Sequence, residues 1–235
     1  MQELLHGALV FFLYLIPAAS IMLIARRILR IPDELFRKIL HFILLGAYIP
    51  LVFAFETWWI AAGFAAGLMV LLYPILSLVE RLSIFSSFVN ERKKGEFKSS
   101  MVLALSMMAI STCICWGWYG DRLLVLACVY AWGTGDAFAA LVGKRFGRHK
   151  IRLPFADSRK SVEGTAAMFI VSAASVLTVL LIRGGLSVGS CLIISAAAAA
   201  VCTYVELCSK GGMDTVTCPI AAMAVILPLT TLLGG

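Results

Sequence analysis

The chain has 235 residues, of which 61% are hydrophobic and only 14% charged, with a mean hydropathy of +0.97. A soluble domain is about 45–50% apolar and about 25% charged, so this composition excludes a cytosolic enzyme, a disordered protein and a secreted disulfide scaffold. It points to an all-α, polytopic membrane bundle, read as a single transmembrane domain over 1–235. The net charge of +7 fits basic loops or a phosphate site. No basic stripe with interleaved aromatics marks a nucleic-acid binder.

A bilayer core takes ~20 apolar residues per helix, and the uncharged runs give eight. In chain order they are Leu4–Ala25, Ile39–Phe55, Thr57–Val79, Met101–Tyr119, Leu123–Val142, Thr165–Ile182, Leu186–Val205 and Val216–Leu233. The first is not a signal peptide, because Glu3 precedes it and Arg26, Arg27 and Arg30 follow it. The second is short, and either a full crossing or a half-membrane hairpin fits it. Between spans, the positive charges alternate sharply. The first, third, fifth and seventh connections hold five, five, seven and one cations, eighteen of the twenty Lys and Arg, and the other side holds only Arg122 and Arg183. The positive-inside rule makes the basic side cytoplasmic. All seven cysteines lie in or beside apolar runs without a C-x-x-C pair, which reads as small apolar residues and not disulfides or metal ligands.

Ionisable groups within spans are costly and mark polar cavities. Asp136 lies in the fifth run, Glu206 at the end of the seventh, Asp214 just before the eighth and His41 near the start of the second. With Lys160 and Glu163 they all fall on the cytoplasmic side, which suggests one site there. Gly133, Asp136, Ala140, Gly143 and Gly147 form one helical stripe with a single carboxylate. Such a stripe admits either a ligand or a closely packed helix. Lys160 and Ser161 suit phosphate oxygens, and either Asp157 or Ser158 could cap the sixth helix. Glu163 stands one turn from Lys160, where it either orients that lysine or accepts a proton. Gly211 and Gly212 permit a tight turn between Glu206 and Asp214. Asp136, Asp214 and Glu206 make an oxygen-rich set of the kind that binds Mg²⁺, while the three scattered histidines give no zinc pattern. No G-x-x-x-x-G-K-[ST] phosphate loop occurs. The basic loop Glu80–Ser100 either borders the site or faces anionic headgroups.

These residues resemble a known group. Gly135-Asp136, Gly143, Gly147, Lys160-Ser161 and Glu163-Gly164 are similar to the signature shared by membrane phosphatidate cytidylyltransferases and the polyprenol kinases (dolichol kinase, phytol kinase and the CTP-dependent diacylglycerol kinase). Arg37-Lys38-x-x-His41, and Glu206, Asp214 and Pro219, resemble the flanking motifs of the kinase branch, so the likeness covers about residues 37–219. The long C-terminal signature of the cytidylyltransferases is missing, which favours the kinases. The resemblance implies a multi-pass enzyme, in the cell membrane if bacterial, that moves a phosphoryl group from CTP to the hydroxyl of a lipid alcohol such as diacylglycerol, a polyprenol or phytol, with Mg²⁺. Asp136, Lys160 and Glu163 would be catalytic. Arg37, Lys38, Gly133, Gly143, Lys144, Gly147, Lys160, Ser161 and Gly164 would bind the nucleotide, and Asp136, Asp214 and Glu206 the metal. The alternatives are nucleotidyl transfer to a phospholipid, or a proton- or cation-coupled transporter; clustering of the charges on one face argues against a conducting path. Oligomeric state is not legible.

Overall fold

The computed structural model describes residues 1–29, 31–79, 95–151, 160–209 and 212–234. Among these the chain is helical, and eight segments are long and apolar enough to cross a membrane. The chain is an all-α polytopic membrane protein. The helices are α1 (Gln2–Leu29), α2 (Asp33–Gly46), α3 (Tyr48–Phe53), α4 (Trp58–Val79), α5 (Glu96–Ser111), α6 (Arg122–Phe146), α7 (Val162–Arg183), α8 (Val188–Cys208) and α9 (Asp214–Leu232), with a π-helical stretch, Thr112–Trp118, after α5. They form two compact units, Met1–Cys113 and Ile114–Gly235.

In the first unit, α2 and α3 together make the second span. The helix breaks only at Ala47, since Pro50 offers no N–H to the carbonyl of Gly46, yet Ala47 stays in the right-handed region and Leu51 N still donates to Ala47 O at 3.2 Å. The 21 residues Asp33–Phe53 reach ~30 Å at 1.5 Å per residue, long enough to cross, so the short run is no half-membrane hairpin. The core is aromatic: Phe11 meets Phe64 edge-on at 5.1 Å, and Phe55 lies 5.2 Å from Phe64. Gly7 gives the Phe55 ring its place, because a Cβ there would stand 2.5 Å from the ring. Glu3 ties the start of α1 to the start of α4, accepting from Glu56 N at 3.0 Å, Thr57 N at 2.8 Å and Thr57 Oγ1 at 2.8 Å. It answers backbone donors that a helix start leaves open.

The second unit packs α6 against α7, α7 against α8, α8 against α9, and α9 back against α6. α6 is the most deeply buried of the eight candidate spans. At one end Asp121 caps α6, accepting from Leu123 N at 2.8 Å, and pairs with Arg183 at the end of α7. There too Ser190 Oγ of α8 donates to Leu233 O, just past α9, at 3.5 Å. Toward the other end, one turn in from Glu206 and Asp214, Cys202 and Cys218 each donate Sγ–H to the other's carbonyl, at 3.7 and 3.8 Å, across α8 and α9. All seven cysteines are free thiols.

Several helices run past the expected span ends. α2 starts at Asp33, so Arg37 and Lys38 are helical. α5 starts at Glu96, α6 continues through Lys144 and Arg145, and Glu206 and Asp214 lie within α8 and α9. A charged side chain can join a helix at its end because it reaches the headgroup layer from there. Arg30, most of the Glu80–Ser100 loop, Asp157, Ser158 and Gly211 lie outside the described residues.

Candidate functional site

The cluster is built at the end of the second unit opposite the Asp121–Arg183 pair. Four helix ends meet there: the last turns of α6 and α8 and the first turns of α7 and α9. α6 and α7 come together because three glycines remove the side chains between them. A Cβ on Gly164 would lie 2.8 Å from Ala139 O and 3.2 Å from Gly143 Cα. One on Gly147 would lie 2.6 Å from Ser161 Oγ. Further along, Gly135 backs onto Met168 and Ser172 of α7. Of the two readings of the glycine stripe, the geometry supports helix packing at Gly143 and Gly147, and Gly135, beside the stripe, packs in the same way. Gly133 is buried higher on the same helix.

The connection between α6 and α7 is stapled at its base. Lys150 and Ser161 form an antiparallel bridge, with Ile151 N donating to Lys160 O at 3.1 Å and Val162 N to His149 O at 2.9 Å. Ser161 is the cap of α7. Its Oγ accepts from Gly164 N at 3.2 Å, and the residue is 2% exposed. The sequence offered Asp157 or Ser158 for that position. A serine cap satisfies an orphan N–H of the first turn, so this hydroxyl, expected on phosphate, is turned into its own helix. Lys144 is exposed on the last turn of α6.

Lys160 points at the end of α8. Its Nζ lies 3.0 Å from Glu206 Oε1, donates to the Glu206 carbonyl, and reaches Ser209 O at 3.5 Å. The ammonium thus caps the last carbonyls of α8 and neutralises the carboxylate of a buried residue. A buried charge needs such a partner. Ser209 Oγ and Thr217 Oγ1, 2.9 Å apart, close the turn between α8 and α9. The charges of Lys160, Asp136 and Asp214 all act on the Glu206 carboxylate, so these four groups from α6, the α6–α7 connection, α8 and α9 share one electrostatic neighbourhood. They do not form a three-carboxylate cage: among the described residues no three His, Cys, Asp or Glu side chains gather closely enough to hold a metal ion.

Glu163 does not orient Lys160. It turns to the other strand of the staple, accepting from Arg148 N and His149 N, each at 3.2 Å, with Oε1 2.7 Å from His149 Nδ1. Nothing in the spacing singles out this histidine, since fourteen residues separate it from its carboxylate. Arg37 and Lys38 stand on α2 of the first unit, where Arg37 Nη2 donates to Glu34 Oε2 at 2.7 Å.

Comparison with known proteins bears on this geometry. Over 206 residues the chain is 31% identical to phytol kinase of Synechocystis sp., a match covering 81% of this chain and 77% of that protein. The chain belongs to the polyprenol kinase family. No family model matches the chain, and no solved structure does. This polyprenol kinase relative is therefore a multi-pass membrane kinase, a transferase whose charged residues collect where four helices of its second unit end.

Proposed function

We propose that this membrane kinase transfers the terminal phosphoryl group of CTP to the hydroxyl of a long-chain lipid alcohol, at the cytoplasmic face of the bilayer and with Mg²⁺. The gathering of Asp136, Lys160, Glu206 and Asp214 at one end of a four-helix unit carries the reading. The 31% identical phytol kinase supports the acceptor class. Phosphoryl transfer asks little covalent chemistry of a protein; it asks for positioning and neutralisation of phosphate charge. The positive-inside pattern of the sequence supports the cytoplasmic side, where a nucleotide is available, and an acceptor with an apolar tail arrives through the surrounding lipid.

The donor set fits a hard cation in a limited way. Mg²⁺ is held by one or two carboxylates, with water and substrate phosphates completing the octahedron. Asp136 and Asp214 would hold it, and Glu206 is engaged with Lys160. When bound, the ion supplies neutralisation of the charge that builds on the transferring phosphoryl group. Lys160 directs three N–H groups at Glu206 Oε1, Glu206 O and Ser209 O. The last contact, at 3.5 Å, is the longest, so a phosphate oxygen replaces it most readily and Lys160 then bridges nucleotide and protein.

The test is purified protein in lipid nanodiscs, given each of four nucleoside triphosphates with diacylglycerol, phytol, dolichol and shorter isoprenoid alcohols, the products weighed by mass spectrometry. The expected products are a lipid monophosphate and CDP. Release of pyrophosphate with a CDP-lipid, or no transfer to any alcohol, refutes the proposal.

A further inference from the structure

The His149–Glu163 pair has a geometry that the staple does not require. Two backbone amides, Arg148 N and His149 N, already bind the Glu163 carboxylate to the connection, and two further backbone bonds flank the Lys150–Ser161 bridge. The imidazole is a fifth link to a junction that four bonds hold. It fills no core either, since its side chain is 78% exposed while Glu163 is 26% exposed. What the arrangement achieves is orientation. A carboxylate fixed by main-chain donors lies 2.7 Å from Nδ1; in the neutral ring it takes Nδ1–H and leaves Nε2 as the acceptor, on a side chain open to solvent. Base and orienting carboxylate in hydrogen-bond reach are the recurrent way to prepare a proton acceptor. Glu163 faces the ring from α7, and Arg148 and Lys150 flank it along the connection.

Resting on the lipid-alcohol kinase reading above, we propose that His149 is the general base that takes the proton of the acceptor hydroxyl, with Glu163 holding its ring. The pair sits at the functional end of the unit, because the same staple that carries His149 carries Lys160, whose carbonyl accepts from Ile151 N and whose ammonium reaches Glu206. The step balances. The acceptor oxygen bonds to the terminal phosphorus, the bond from that phosphorus to the β–γ bridging oxygen breaks, and the nucleoside diphosphate departs with the electron pair. The hydroxyl proton passes to Nε2 of His149 and from there to water. The imidazolium is stabilised meanwhile by Glu163.

The test compares wild type, His149→Ala and Glu163→Gln in nanodiscs with the acceptor and nucleotide found for the wild type, following kcat, KM for nucleotide, melting temperature and the effect of added imidazole. His149→Ala is expected to lose about 100-fold or more in kcat, with KM and melting temperature close to wild type and with activity partly restored by imidazole. Glu163→Gln is expected to lose less, because it keeps an acceptor for both amides. A His149→Ala kcat within about twofold of wild type overturns the proposal, as does a loss that imidazole does not restore, which would make the residue structural. Absence of phosphoryl transfer by the wild type overturns the parent reading, and this one with it.

Discussion

Lys160→Met removes the cation that, among the described residues, is seated against Glu206. The lysine side chain is 18% exposed and that of Glu206 11%, so solvent cannot take over its role. Breaking a buried pair from one side costs about 3–5 kcal/mol, since the other charge stays behind uncompensated. Lys160→Met also strips the donor from Glu206 O and Ser209 O at the end of α8. Glu206→Gln is milder. It leaves a neutral acceptor of the same shape, and Lys160 keeps both carbonyls, so the cost is about 1–2 kcal/mol. For a chain of this size each kcal/mol moves the melting temperature by about 2–4 °C. The expected shifts are therefore roughly 6–20 °C for Lys160→Met and about 2–8 °C for Glu206→Gln. The double variant Lys160→Met/Glu206→Gln recovers part of the first loss, because no bare charge remains buried, and the cycle gives a coupling of about 1–3 kcal/mol. Tryptophan fluorescence during heating in one detergent measures all four proteins. Equal melting of Lys160→Met and wild type, or a double variant no more stable than Lys160→Met, would refute the pairing and the reasoning built on it.

Asp136→Asn should lower transfer from CTP by about 100-fold or more while the melting temperature holds, as read with labelled nucleotide; full activity removes Asp136 from the phosphate–metal site. Chelation of divalent ions should stop transfer and added Mg²⁺ restore it, with product yield as the readout. Gly164→Ala should destabilise by about 1–3 kcal/mol, because its Cβ meets the Ala139 carbonyl oxygen at 2.8 Å. Gly143→Ala should cost less, since the nearest atom at 3.2 Å is the Ser161 hydroxyl oxygen; a reversed order in thermal unfolding counts against the close α6–α7 contact. Asp121→Ala should cost about 1–2 kcal/mol through loss of the α6 cap, and leave KM for nucleotide unchanged because it lies at the opposite end of the unit.

What the sequence determined by itself is the membrane architecture and the chemical ingredients. Eight spans follow from counting apolar residues, because a bilayer demands a nearly fixed length of greasy helix and tolerates few charges inside it. The few that remain, Asp136, Glu206 and Asp214, stand out for that same reason. Tertiary structure decided which partners these residues take, since pairing depends on distances between helices and a linear chain carries no record of them. It gave Lys160 to Glu206 over Glu163, turned Ser161 into a helix cap, and set Glu163 against a histidine fourteen positions away. It also resolved the ambiguous glycine stripe: absent side chains look alike in sequence whether a ligand or a neighbouring helix fills the space, and at Gly143 the neighbour is Gly164 of α7.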